Sequence, residues 1–215
     1  MHVTTVRAKN IIIIAAALAG FAAMLCLVLT GSALRIDDPV REALYGIRCG
    51  ALTAVMKAVT YIGNWQSVTA ICLVLLIIKR TRLTYGLPLS AGALFVTLLN
   101  KLIKHVVARP RPEDVTHLVE EGGFSFASGH SVASMLVFSL LIYLIRKNFK
   151  NRTAANVLTV VLAVPMFAVG ISRVYLGVHF PTDVIAGWCL GIAVTAAIAE
   201  ILERKNGPAH VSDRL

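Results

Sequence analysis

Charge is scarce in this chain. Lys, Arg, Asp and Glu make up only 15% of its 215 residues, with eleven acidic residues against 21 basic ones. That fraction, beside 57% hydrophobic residues and a mean hydropathy of +0.77, rules out an ordinary soluble domain. The four cysteines, Cys26, Cys49, Cys72 and Cys189, form no C-x-x-C pair. A zinc site or disulfide framework is therefore not implied, and they read as small packing residues. There is no compact carboxylate cluster either: Glu113, Asp114, Glu120 and Glu121 lack a metal-ligand spacing, so neither a metal nor a cofactor is expected. Despite a net charge of +10, no basic stripe interleaved with aromatics supports nucleic-acid binding. Internal repeats and low-complexity tracts are missing as well.

What the chain does have is apolar runs suited to a bilayer core, which takes about 20 residues per helix. They cover Ile11 to Thr30, Trp65 to Ile78, Leu83 to Ile103, Ser131 to Ile145, Thr153 to Ile171 and Val184 to Leu202. The expected fold is all-α, a six-transmembrane-helix bundle in a single domain over residues 1–215. The second run has the least certain boundary and could start near Ala51. Six spans put both termini on one side. The termini and the connectors after spans 2 and 4 hold twelve basic residues, among them Lys79, Arg80, Arg146 and Arg152, against only Glu200, Glu203 and Asp213. The positive-inside rule makes that side cytoplasmic in a cell membrane. Residues 1–33 also carry features of a signal peptide, but their apolar run is longer than an h-region of about 7–15 residues, so a retained span is favoured.

Between spans 1 and 2, Asp38 fits a helix N-cap with Pro39 at the first helical position and Glu42 in the first turn. Val40, Leu44 and Ile47 would share one face, as in an amphipathic helix on the outer membrane surface or a plain solvated connector. In span 6, Gly187 and Gly191 make a G-x-x-x-G pair, read as tight packing against a helix of the same chain.

The polar residues that remain concentrate in the outward loops after spans 3 and 5. In SRVYLGVHFPTD, residues 172–183, Arg173 falls where span 5 ends and Pro181 fits the start of span 6. Asp183 then lies in a first helical turn, four residues after His179. A carboxylate fixes the tautomer of a histidine and makes its free nitrogen more nucleophilic, and an arginine nearby suits an oxyanion. The other loop contributes Lys104, Arg111 and the run Ser128-Gly129-His130 at the start of span 4. Glycine and a helix N-terminus let backbone amides approach an anion. His130 is a candidate general acid. Three cations gathered near lipid call for a dianion, so the pattern points to a phosphate monoester attacked by His179, without a metal.

Taken singly, Lys104 and Arg111 could be snorkelling interface residues, Arg173 a helix C-terminal charge and either histidine structural. The spacing overturns those readings. K-x6-R-P at Lys104 to Pro112, S-G-H at Ser128 to His130 and S-R-x5-H-x3-D at Ser172 to Asp183 resemble the three signatures of the type 2 phosphatidic acid phosphatase superfamily. That superfamily shares its site with vanadium haloperoxidases. The last signature fixes four positions, and on the order of 10⁻³ chance matches are expected in a chain this long.

The resemblance implies an acid phosphatase/vanadium haloperoxidase-like bundle. His179 would form a phosphohistidine, Asp183 would orient it, and His130 would serve as acid and then base. Lys104, Arg111, Ser128, Gly129 and Arg173 would hold the phosphate. Arg109 is passed over, because the residue seven before it is Leu102 and Lys104 sets the register. Ala127 stands where the family usually has proline, which frees φ at the loop. The run 120–126 reads as an ordinary wet loop in preference to a hinged lid.

The substrate class implied is a lipid phosphate such as phosphatidylglycerophosphate, undecaprenyl pyrophosphate or phosphatidate, entering from the extracytoplasmic leaflet. The alternatives are a lipid phosphotransferase and a catalytically silent lipid-phosphate binder or transporter. Haloperoxidase activity is disfavoured, because that branch is soluble and larger. A monomer is favoured. A histidine beside three cations is a poor proton donor until the dianion joins them, so kcat/KM should fall on both sides of a mildly acidic to neutral optimum.

Overall fold

In the computed structural model, residues 2–205 are described and they form helices joined by turns and loops, with no strand. Asp213 and Arg214, counted among the charges above, lie outside the described residues. The helices are α1 (His2–Leu29), α2 (Leu34–Gly46), α3 (Gly50–Ile62), α4 (Trp65–Ile77), α5 (Leu87–Val107), α6 (Gly129–Asn148), α7 (Arg152–Tyr175) and α8 (Pro181–Lys205), and a short π-helical turn, Arg82–Gly86, leads into α5. Among the described residues five stretches are long and apolar enough to cross a membrane, and α3 with α4, bent by 45° at their junction, make up to a sixth when counted as one broken span.

The second span thus takes the earlier of its two expected starts, beginning at Gly50 beside Ala51, and is broken at Gly63 and Asn64. The cause is local. Asn64 caps α4, its side-chain oxygen accepting from the Trp65 amide at 2.9 Å. Gly63 lies so close to α7 that a Cβ there would stand 2.4 Å from Val169. The helix therefore stops against a neighbour and restarts from a new cap.

A correction concerns α2. It begins at Leu34, not after Asp38, and Pro39 sits inside it. Gly31, at φ +71°, turns the chain directly after α1, and the Asp37 amide already bonds back to the Ala33 carbonyl at 2.9 Å. Asp38 pairs with Arg41 at 3.1 Å instead of capping. Asp37 is fully buried and belongs to the site described below.

α6 and α8 form the centre of the bundle. α6 packs on both α7 and α8, α1 lies along α8, and α3 lies against α7. The two glycines of α8 act as anticipated: a Cβ at Gly187 would stand 2.9 Å from Ser131 Cβ, and one at Gly191 2.7 Å from Met135 Cβ. Small residues there let α6 and α8 approach closely, which supplies packing where the surrounding lipid offers no hydrophobic drive. The outer helices turn large apolar side chains away from the protein, including Leu94, Leu98 and Leu102 on α5 and Val157, Val160 and Val164 on α7.

The two ends of the bundle differ. At one, the starts of α6 and α8 meet, the Ser128 amide donating to the Asp183 carbonyl at 3.1 Å. At the other, Lys147 near the end of α6 pairs with Glu203 near the end of α8 at 2.8 Å, and Asn10 of α1 donates to Glu200. The connectors rich in lysine and arginine belong to this second end.

Candidate active site

α7 ends one short turn before α8 begins, and that turn carries His179. Gly177, at φ +84°, reverses the chain there with backbone and side chains packed against it, a conformation that favours glycine. Pro181 then opens α8. The result places Asp183 one turn from His179, with both side chains buried.

His179 Nδ1 faces Asp183 Oδ2 at 3.4 Å and Ser125 Oγ at 3.2 Å, while Nε2 lies 3.1 Å from Arg111 Nη1. A guanidinium can only donate, so Nε2 is the unprotonated nitrogen and Nδ1 carries the hydrogen. Burial first, and then the nearby charges of Arg111, Arg173 and Lys104, hold the His179 imidazole well below its ordinary pKa of 6.5. A neutral ring with a free lone pair on Nε2 is a competent nucleophile at pH 7.

Asp183 is fixed through both oxygens. Oδ2 accepts from the Phe180 amide at 2.9 Å and from Ser125 Oγ at 2.5 Å, and Oδ1 accepts from Arg109 Nη1 at 2.7 Å. Arg109 in turn reaches Asp37 of α2 at 2.7 Å.

The three expected cations converge from three elements. Lys104, in the last turn of α5, donates to the carbonyls of Phe124 at 2.5 Å and Ser125 at 3.1 Å. Arg111 donates to the carbonyls of Gly122, Gly123 and Val178 at 2.8, 3.0 and 2.7 Å. Arg173, at the end of α7, donates through Nη1 to Thr60 Oγ1 of α3 at 2.8 Å and pairs through Nη2 with Glu121. The second oxygen of Glu121 is 3.8 Å from Arg111 Nη2. Among the described residues Arg173 Nε is a buried donor without a partner. A carboxylate held between two guanidiniums, with a spare donor beside it, shows that this pocket can hold an anion.

Residues 120–126 are only in part the solvated loop expected: Glu120, Gly122, Gly123 and Phe124 are exposed, but the rest of the run turns inward. Glu121 enters the site and the carbonyls that follow it engage Arg111 and Lys104, while Ser125, Phe126 and Ala127 are fully buried. Lys104 and Arg111 need acceptors in a poorly hydrated setting, and this backbone supplies them. The Ala127 carbonyl accepts from Asn100 of α5 at 3.3 Å. Ser128 receives the hydroxyl of Ser131 at 2.9 Å, and Gly129 opens α6 with only Asn100 near the place of a Cβ, at 3.5 Å. His130 follows, lining a cavity of about 590 Å³ together with Arg173, Glu121, Thr60 and Lys57.

All eight residues singled out by spacing therefore gather at one end of the bundle. Five others were missed: Arg109, Asp37, Ser125, Thr182 and Glu121. The one available signal was the doubled Arg-Pro in "RPRP".

Comparison with known proteins identifies the family. A family model described as PAP2 superfamily matches residues 85–206, more than half of the chain. The chain belongs to the PAP2 superfamily. Phosphatidylglycerophosphatase B of Bacillus subtilis is 34% identical over 173 residues, covering 76% of this chain and 81% of the relative. An undecaprenyl-diphosphatase of Sulfolobus acidocaldarius is 36% identical over 149 residues, 67% of this chain and 65% of its own. The crystal structure of a transmembrane PAP2 type phosphatidylglycerolphosphate phosphatase from Bacillus subtilis superposes with a TM-score of 0.81 at 28% identity, covering 89% of this chain and 96% of that one. This PAP2 chain is accordingly an all-helical, multi-pass membrane protein of the lipid phosphatase type.

Proposed function

We propose that this protein hydrolyses phosphate from a lipid phosphate monoester or diphosphate through a phosphohistidine on His179. The observation that carries the reading is the pairing at His179: Nδ1 turned to Asp183 and Ser125, Nε2 turned to Arg111, with Arg173 close by.

In the first step Nε2 attacks phosphorus and the bond from phosphorus to the lipid oxygen breaks. His130, which takes up a proton as the dianion joins the cations around it, gives that oxygen this proton. Asp183 stabilises the positive charge that develops on the ring. In the second step His130 takes a proton from water, whose oxygen attacks phosphorus; the P–N bond breaks and inorganic phosphate leaves. Lys104, Arg111, Arg173 and the amides around Ser128 and Gly129 bind the phosphoryl oxygens, the term expected to dominate in phosphoryl transfer. Glu121 has to yield its place on Arg173 when substrate binds.

The substrate class is phosphatidylglycerophosphate, undecaprenyl pyrophosphate or phosphatidate, the first two in keeping with the names of two relatives. With the basic connectors at the opposite end, the positive-inside rule puts both termini in the cytoplasm and the site on the extracytoplasmic face.

The test is phosphate release from a panel of these lipids by purified protein in detergent with EDTA present, comparing wild type with His179→Ala. We expect EDTA-resistant release by wild type and a loss of three orders of magnitude or more, on the order of removing a covalent nucleophile, in the variant. Release abolished by the chelator, or retained by His179→Ala, refutes the mechanism.

A further inference from the structure

Beyond the three signatures lies a second buried polar network that the proposed reaction scheme does not use. Asp37, on α2, is fully buried. Its Oδ1 accepts from the Thr182 amide at 2.8 Å, and its Oδ2 accepts from Thr182 Oγ1 at 2.9 Å and from Arg109 Nη2 at 2.7 Å. Arg109 Nη1 donates onward to Thr182 Oγ1 at 2.8 Å and to Asp183 Oδ1 at 2.7 Å. The Arg109 guanidinium also lies 3.8 Å from the centre of the Phe180 ring, whose surroundings include Arg41 of α2 at 5.0 Å. The chain of contacts runs from α2 through Arg109 to Asp183 and His179.

Two physical consequences follow. The first is geometric: with Oδ1 held by Arg109, Asp183 cannot rotate, and Oδ2 is the oxygen left to face His179 and Ser125. The second is electrostatic. Arg109 alone beside Asp183 would cancel the charge that stabilises a positive ring on His179. Asp37 supplies a second carboxylate, so the three groups together carry one net negative charge, as a lone Asp183 would, but in a fixed position. Buried charges are retained only when paired and hydrogen-bonded, and all three here are.

We propose that Arg109 and Asp37 are positioning residues for the His179–Asp183 pair, and that α2 is by this route a working part of the active centre. Neither residue touches the anion site formed by Lys104, Arg111 and Arg173. The inference rests on the phosphatase reading above.

The test measures phosphate release from phosphatidylglycerophosphate by the full chain in detergent, with inorganic phosphate as a competing ligand. Asp37→Asn is expected to lower kcat about 10-fold and Arg109→Gln about 100-fold, the range for groups that orient a reactive side chain. KM and the inhibition constant for inorganic phosphate should stay within about 2-fold, since no anion contact is lost. The decisive variant is the double one. Arg109→Gln leaves two buried carboxylates facing each other, and adding Asp37→Asn restores a single net charge. The double variant should therefore regain about 10-fold over Arg109→Gln alone, a non-additivity expected of groups in one network.

A double variant no faster than Arg109→Gln, or a phosphate inhibition constant that moves in step with kcat, overturns the proposal. If Arg109→Gln cannot be recovered as folded protein, Asp37→Asn decides by itself: a loss in kcat alone supports the proposal and wild-type kinetics overturn it. His179→Ala separates the two levels. An inactive His179→Ala beside an active wild type keeps the phosphatase reading standing whatever these variants do. An active His179→Ala removes both.

Discussion

The two ends of the bundle use the same residue types to opposite effect. At the basic end, Lys147 and Glu203 meet with side chains 25% and 33% exposed, and Arg204 reaches Glu200 from a side chain 59% exposed. At the other end Arg173 is 2% exposed, Asp183 and Asp37 are fully buried, and each is held by partners from several elements. Charges in contact with water or headgroups are screened and replaceable, and their common effect is to orient the chain in the membrane. Charges withdrawn from water interact strongly, must be paired, and shift the chemistry of what they surround. Burial marks most of the difference between the two ends, although the Glu200 side chain at the basic end is itself only 8% exposed.

The largest way to break this contrast is to remove one arginine from each end. Arg173→Ala should lower kcat/KM for lipid phosphate by about 10²–10³-fold, the scale of deleting one preorganised donor to a transition-state oxyanion. Arg173→Lys should not restore it, because an ammonium cannot reach Thr60 and the anion together as a planar fork does. Arg146→Ala at the basic end, where the side chain donates to Asn156 and Thr159, should leave kcat/KM within about 2-fold. Comparable losses at both ends would mean that burial does not make the distinction.

A smaller effect sharpens the picture within the site. Glu121 is a tethered monoanion on Arg173 and near Arg111, so any ligand has to outcompete it. Glu121→Gln removes that competitor while keeping the shape. KM for lipid phosphate and the inhibition constant for inorganic phosphate are expected to fall about 3- to 10-fold, equivalent to about 1 kcal/mol of relieved competition. An unchanged inhibition constant would mean that Glu121 leaves Arg173 at no cost.

How far these contacts were legible depends on their separation along the chain. His179 and Asp183 are four residues apart at a helix start, and Ser128 to His130 are contiguous, so spacing alone identified them and the elements that present them. Local patterns say nothing of partners 72 residues distant, which is the separation of Arg109 from Asp37. Asp37 looked like a residue beside an exposed cap, and Arg109 like an unused copy of Arg111. Only the folding of α2 against the start of α8 gives either a role. Apolar runs likewise revealed the spans, and Gly63-Asn64 marked an interruption, but the 45° bend there depends on how closely α7 approaches. Glu121 was hidden for a different reason: a glycine-rich acidic run resembles a wet loop unless the cations it must satisfy are already in place.

The smallest effect belongs to the basic end and tests the contrast from the other side. Lys147 and Glu203 pair at 2.8 Å, with Tyr143 donating to the same carboxylate at 2.6 Å. If this end is a solvated surface, the cation contributes little, because its Coulomb gain is screened and offset by ordering a long side chain. Lys147→Ala should then cost at most about 1 kcal/mol, a change in Tm of a few degrees or less in detergent, with no loss of kcat. The same substitution at Lys104, which is surrounded by Phe124, Ser125 and the two buried arginines, should act on KM and kcat before it acts on Tm. A large fall in Tm for Lys147→Ala would show that the pair is shielded from water by its Tyr143 neighbour, and the line between the two ends would have to be redrawn one helical turn further out.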